Sequence, residues 1–347
     1  MSRTDQAQAI IEIDRLKKYY PIQQGFLKRT VGHVKAVDDI RLTIYEGETF
    51  GLVGESGCGK STLGRCLLRA IEPTSGEVRF TARTGDKVNV LELGSKRLKK
   101  LRQDMQMVFQ DPYSSLNPRM TVLNIVAEPL ICNGLAKGAA LVERVTELIR
   151  MVGLEKGHLN RYPHAFSGGQ RQRIGIARAL ATNPRFVVCD EAVSALDVSV
   201  QAQIINLLQD LQRNLGLSYL FISHDLSVIE HISHRVGVMY IGQMIEVGKT
   251  EALFERPLHP YTEALLLSRP VTDPLGKKER YVLPGEVANP ADPPSGCYFH
   301  PRCPYATQRC RTEAPALVEA EPDRFAACHY AGELQLRGIR QHQQIHS

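Results

Sequence analysis

Residues Gly54-Glu55-Ser56-Gly57-Cys58-Gly59-Lys60-Ser61 read G-x-x-x-x-G-K-S, and no other stretch restricts the fold as much. The glycines let backbone N–H groups close around phosphates. Lys60 brings a charge for the β- and γ-phosphates, and the Ser61 hydroxyl is a ligand for Mg²⁺. The flanks suit the motif. Thr49-Phe50-Gly51-Leu52-Val53 is a short buried-strand pattern, and Thr62 to Leu68 continues as a helix whose N-terminal dipole favours an anion in the loop. A phosphate loop between strand and helix requires an α/β nucleotide-binding core.

The rest of the chain agrees with such a core. Ile10 to Ile13, Val34 to Tyr45 and Gly76 to Phe80 alternate like edge strands, which predicts a small antiparallel sheet beside the nucleotide. Short apolar runs at Met105 to Phe109, Phe186 to Cys189, Tyr219 to Ile222 and Val236 to Tyr240 predict buried strands of a mostly parallel sheet. Ile204, Ile205, Leu207, Leu208 and Leu211 keep a helical period between two of them. From Asp111 to about Arg178 helical patterns take over, with Val142, Val145, Leu148, Ile149 and Val152 on one face, so a helical subdomain is expected over 111–178.

After Glu255 the composition changes. Ten of the nineteen prolines fall between Arg256 and Tyr305, which excludes long helices and central strands there. The expected division is therefore a nucleotide-binding domain over 1–255 and a loop-rich extension over 256–347.

Phe186-Val187-Val188-Cys189 ends in Asp190-Glu191, 130 positions after Lys60. A buried strand ending in two carboxylates is what Mg²⁺-dependent phosphoryl transfer needs. Asp190 would hold the metal through water, and Glu191 would polarise the attacking water.

Bulk properties narrow the setting. Lysine and arginine exceed aspartate and glutamate by 43 − 37 = 6, a mild excess that fits phosphate ligands or a membrane surface and does not require nucleic acid. The densest basic run, Lys96 to Arg102, reads as a solvated helix face. The polar start Met1 to Gln6 leads into no apolar segment of a secretory signal, and no window approaches the ~18 apolar residues of a membrane span. A cytosolic protein, or one resting on the cytosolic face of a membrane, is expected. Eight cysteines in that compartment argue against a disulfide framework.

Phe166-Ser167-Gly168-Gly169-Gln170-Arg171-Gln172-Arg173 stands just ahead of a helical pattern. With the phosphate loop it resembles the signature of ATP-binding-cassette (ABC) ATPases, Phe166 replacing the usual leucine. The resemblance covers nearly the whole chain: Gln110 matches the Q-loop, Ser194-Ala195-Leu196-Asp197 the D-loop, and His224 the switch histidine. It implies that Gly54 to Thr62, Gln110 and Asp190 bind ATP, with Mg²⁺ held through Ser61, Gln110 and Asp190. Tyr20 would stack on adenine, with Tyr19 as the alternative. Glu191 would be the general base, with Lys60 and His224 on the γ-phosphate. Ser167, Gly168, Gly169 and Gln170 would cap ATP held by another cassette, so one chain cannot complete a site. Ala192 stands where family members often have proline; no reacting group is lost by it.

The tail carries Cys297, Cys303, Cys310 and Cys328, with 5, 6 and 17 residues between successive members. Four thiolates can hold zinc or an iron–sulfur cluster, and spacing alone leaves the metal open. Cys58, Cys66, Cys132 and Cys189 read as packing residues of the cassette. Pro257 to Leu266, Gly296 to Pro304 and Ser194 to Gln203 resemble the dipeptide and oligopeptide importer ATPases, closest to the second ATPase subunit of a dipeptide permease. That group implies a [4Fe-4S] cluster on the four cysteines, a second ABC ATPase subunit that is a paralogue, two transmembrane permease subunits, and an extracytoplasmic peptide-binding protein. It also implies a peripheral place on the cytoplasmic face of the inner membrane. Importers of nickel, glycosides or another solute use similar ATPases, and a soluble ABC ATPase acting on nucleic acid or ribosomes is the reading from another class.

Overall fold

A computed structural model describes residues 8–26, 29–268 and 285–339. The polar start Met1 to Gln6 and three prolines of the tail, Pro270, Pro274 and Pro284, lie outside the described residues.

In chain order the strands are β1 (Ala9–Gln24), β2 (Arg29–Tyr45), β3 (Thr49–Val53), β4 (Ser75–Thr81), β5 (Lys87–Asn89), β6 (Met105–Val108), β7 (Phe186–Asp190), β8 (Ser218–Ile222), β9 (Arg235–Tyr240), β10 (Gln243–Lys249), β11 (Val318–Glu321) and β12 (Arg324–Ala326). The helices are α1 (Lys60–Leu67), α2 (Ser95–Leu101), α3 (Val122–Cys132), α4 (Gly138–Met151), α5 (Gly168–Leu180), α6 (Val198–Leu215), α7 (Leu226–Ile232), α8 (Thr250–Glu255), α9 (Pro260–Leu267) and α10 (Gln308–Thr312).

Two sheets form, as the two sequence patterns predict. The alternating strands make a four-stranded antiparallel sheet in the order β2-β1-β4-β5. The continuous apolar runs make the main sheet, ordered β11-β12-β10-β9-β3-β8-β7-β6. Its centre is parallel, from β9 through β3, β8 and β7 to β6. The two faces of each central strand feed two separate cores, because successive side chains point to opposite sides. Phe50, Leu52, Phe186, Val188, Leu220 and Ile222 pack with α1 and the small sheet. Val53, Val187, Cys189, Tyr219 and Phe221 pack with the helices on the other side. Each such fully buried side chain contributes about 1.5–3 kcal/mol, which is why these strands need no polar face.

Among the described residues no strand falls between β6 and β7, so the segment expected over 111–178 is helical in its regular structure, with α5 running on to Leu180. Val145, Leu148, Ile149 and Val152 are buried as their spacing predicts, whereas Val142 stays exposed. The basic run lies on α2, where Leu98 and Leu101 face inward and the lysines outward. Cys58, Cys66 and Cys189 are buried, but Cys132 is exposed. The packing role expected for Cys132 is therefore corrected: it ends α3, where the chain turns out toward solvent.

The proline-rich tail is short-elemented and loop-rich, yet it is not merely attached. β12 pairs antiparallel with β10 and extends the main sheet. Tyr261 of α9 is fully buried, its ring 4.7 Å from Tyr240 and 5.3 Å from Phe299.

Candidate active site

The phosphate loop is shaped by backbone that only glycine accepts. Gly59 has φ +105°, and a Cβ there would lie 1.9 Å from the carbonyl oxygen of Ala36. The loop is thereby seated on β2 and leads straight into α1. Lys60 is buried and donates from Nζ to the carbonyl oxygens of Gly54 (2.7 Å) and Glu55 (2.9 Å), with the Cys58 sulfur at 3.6 Å. Its ammonium thereby lies across the loop between Gly54 and Lys60.

Strand register then brings the carboxylates to the same end of the sheet. β7 runs parallel to β8, which runs parallel to β3, so Asp190 and Ser61 meet. Ser61 Oγ donates to Asp190 Oδ1 at 2.6 Å. Burial raises the Asp190 carboxyl above the usual range, opposed by the Ser61 hydrogen bond and by Arg65, whose Nη2 lies 3.6 Å from Oδ2. Glu191 has φ +49°, an uncommon conformation for a non-glycine residue, and its N–H donates to the Ile222 carbonyl at 3.0 Å. Gln110 Nε2 donates to Glu191 Oε2 at 2.7 Å, and His224 Nδ1 lies 3.5 Å from the same oxygen. Ala192 is buried beside it, and Ser194 Oγ donates to the Glu191 carbonyl at 3.0 Å.

Residues from four distant stretches therefore converge: Lys60 and Ser61, Gln110, Asp190 and Glu191, and His224. The donor set that gathers around Ser61 and Asp190 is oxygen-rich, which suits a hard divalent cation such as Mg²⁺. Tyr20 is exposed, with the Lys18 ammonium 4.8 Å from its ring centre. Tyr19 is half-buried, and its hydroxyl is bonded to Asp38.

The signature residues pack elsewhere. Ser167 caps α5: its Oγ accepts from Gln170 N–H at 3.3 Å, and Gln170 Oε1 accepts from Ser167 N–H at 3.1 Å. A Cβ on Gly168 would meet Leu196 and Tyr113, and one on Gly169 would lie 2.3 Å from Val200 Cγ1. None of these neighbours belongs to the phosphate loop. Asp197 caps α6 in the same way, accepting from Val200 N–H at 3.0 Å, and these hydrogen bonds hold its carboxyl below the usual range.

Cys297, Cys303, Cys310 and Cys328 line one cavity with Phe299, Pro260 and Leu334. Burial pushes the Cys303 thiol up to about 12 and Cys328 up to about 11, with Cys297 and Cys310 adding to both. Buried thiols are costly to ionise unless a metal takes the charge, so the donor chemistry fits a thiolate-bound group. Among the described residues, however, no three His, Cys, Asp or Glu side chains are arranged to hold a single metal ion.

Several residues of the site carry no local signal. Arg65 lies one turn beyond Ser61 on α1 and reaches Asp190. Arg302 grips Glu55 of the phosphate loop from 247 positions away, Nη1 to Oε2 at 2.8 Å and Nη2 to Oε1 at 3.0 Å. Tyr261 accepts from Glu55 N–H at 2.9 Å, and Tyr298 donates to Asp38 at 3.3 Å. Arg65 is marked by its helical spacing from Ser61; Tyr261, Tyr298 and Arg302 fall in the two tail segments that resemble the importer ATPases, but nothing local ties them to the phosphate loop.

Residues 37–194 match the ABC transporter family, and residues 245–310 match the family described as oligopeptide/dipeptide transporter, C-terminal region. The chain is 52% identical over 325 residues to the oligopeptide transport ATP-binding protein AppF of Bacillus subtilis (strain 168), covering 93% of this chain and 97% of that one. It is 53% identical to the putative oligopeptide transport ATP-binding protein YkfD of the same organism, over 92% of this chain and 95% of that one. Among solved structures, the ATP-binding cassette MJ0796 in a dimeric post-hydrolysis state bound to ADP and Pi is 31% identical, with TM-score 0.60 over 69% of this chain and 98% of that one. The cbiO1 protein of Clostridium perfringens, part of the cbiONQ transporter complex, is 26% identical with TM-score 0.60 over 71% of this chain and 91% of that one. The phosphate loop, the converging carboxylates and these matches together place the chain in the ABC transporter family, among its oligopeptide and dipeptide ATP-binding proteins.

Proposed function

We propose that this chain is the ATP-hydrolysing subunit of a membrane importer for dipeptides or oligopeptides. The observation that carries the reading is that one chain holds both an assembled phosphoryl-transfer site and, over residues 245–310, the C-terminal region of oligopeptide and dipeptide transporters. Lys60 and the loop amides bind the β- and γ-phosphates, exchanging carbonyl contacts for phosphate ones. Ser61, Asp190 and Gln110 hold Mg²⁺, which supplies charge neutralisation on the phosphates. Glu191 orients and deprotonates the attacking water, and His224 contacts the γ-phosphate. Tyr20, free of the bond that engages Tyr19, stacks on adenine.

The signature Ser167 to Gln170, packed against the D-loop side, serves a second cassette, in keeping with the dimeric state of MJ0796. Residues 1–255 form the motor and 256–347 the extension. Two permease subunits dock near Gln110 and the helical subdomain on the cytoplasmic face of the membrane, and an extracytoplasmic protein delivers the cargo. No described helix is long and apolar enough to cross a membrane itself. The four tail cysteines hold a [4Fe-4S] cluster, zinc being the alternative, as a staple for a segment poor in regular structure.

The test is an anaerobic pull-down of the tagged chain in mild detergent, with mass spectrometry of co-purifying proteins. Two multispan permeases and a second cassette are expected. Ribosomal or DNA-repair partners with no membrane subunit would overturn the transport reading.

A further inference from the structure

Glu55 is the second residue of the phosphate loop, and a carboxylate is the wrong charge for a loop that binds phosphates. Its two oxygens are both taken by Arg302, at 2.8 and 3.0 Å, in a bidentate fork. Arg302 is only 5% exposed, so the pair is little screened by water. The contact to Glu55 raises the guanidinium further above its usual range.

The fork is built into the extension. Arg302 N–H donates to the Phe299 carbonyl at 3.0 Å, in the turn between Cys297 and Cys303. Phe299 packs edge-on against Tyr240 and Tyr261. Tyr261 also takes the Glu55 N–H, so backbone and side chain of the same loop residue are held by the extension. Nearby, Lys35 N–H donates to the Pro290 carbonyl at 3.1 Å, tying the extension to the strand on which Gly59 sits.

We propose that Arg302 is a positioning residue of the nucleotide site: it cancels and anchors the Glu55 carboxylate, so that the affinity of the loop for a nucleoside triphosphate depends on the C-terminal extension. The inference rests on the reading of Gly54 to Ser61 as an ATP site. Without Arg302, an unpaired carboxylate stands in the phosphate loop and opposes the ligand. Removing that carboxylate as well takes the opposition away.

The experiment titrates the full-length chain, purified anaerobically, with a fluorescent methylanthraniloyl-ATP in the presence of Mg²⁺. Arg302→Gln is expected to weaken binding about tenfold, and the Glu55→Gln/Arg302→Gln double variant to regain most of the loss. Arg302→Met, which keeps the buried stem, replaces the glutamine variant if that one does not fold. Wild-type affinity in the single variant, or a double variant no tighter than the single, overturns the proposal. A wild-type chain that does not bind the nucleotide would instead overturn the ATP-site reading.

Discussion

Gln110 donates from Nε2 to Oε2 of Glu191 at 2.7 Å, joining the residue that leads into the helical insertion to the carboxylate after β7. His224 approaches the same oxygen from the end of β8. One carboxylate oxygen is therefore shared by the two segments that could report its surroundings to the rest of the molecule. The carboxylate proposed as the base is thereby held from both the start of the helical insertion and the segment after β8.

Replacing Glu191 with glutamine keeps the shape and the bond from Gln110 acceptable while removing the base. ATP binding is expected to persist while phosphate release falls by about 10²–10⁴-fold. Steady-state phosphate release set beside a nucleotide-binding titration checks this. Full turnover in the variant would remove Glu191 from the role.

Cys303 lines the tail cavity with the other three cysteines, and burial pushes its thiol up to about 12, against about 11 for Cys328. Cys303→Ser, purified anaerobically, is expected to lose most of its bound iron and to unfold at a lower temperature. Metal analysis and a thermal melt are sufficient. Unchanged iron content with an unchanged melt would sink the shared-ligand reading of the four cysteines.

Glu246 is fully buried, and burial raises its carboxyl from 4.5 to about 7. It accepts from Leu258 N–H at 2.8 Å and His259 N–H at 3.0 Å, with Arg324 Nη2 at 3.7 Å. Because the folded value lies above the unfolded one, stability from this group is full below about pH 4.5 and is lost as pH rises through about 7. The neighbouring His259 acts in the opposite sense. Burial lowers it from 6.5 to about 3, so its contribution is present above about pH 6.5 and is lost as pH falls. Glu246→Gln isolates the first effect. The stability advantage of the wild type over this variant is expected to shrink between about pH 5 and pH 8, read from urea midpoints. A difference that stays constant over that range would show that Glu246 does not titrate there.

Much of the motor was legible in the residues themselves. The phosphate loop, the strand ending in Asp190-Glu191, the Ser167-Gly168-Gly169-Gln170 cap and the helical insertion all stand where their patterns predict. The tail was legible only as a composition. Its prolines forecast short elements, and the structure adds that β12 extends the main sheet and that Tyr261 and Phe299 fill a core. Cys132 misled because cysteine is small and apolar enough to suit a core, yet its position at the end of α3 faces solvent.

The division follows the range of the forces involved. A loop of glycines between a strand and a helix carries its chemistry in consecutive backbone amides, so the sequence by itself determined where that loop and the strand-end acids Asp190 and Glu191 stand. Which of two adjacent tyrosines is bonded to Asp38, which oxygen Gln110 and His224 share, and which arginine neutralises Glu55 depend on contacts between residues up to 247 positions apart. Those pairings have no local signature, because they arise only when packing of the two cores brings side chains from distant stretches of the chain together. The tertiary structure alone decided them.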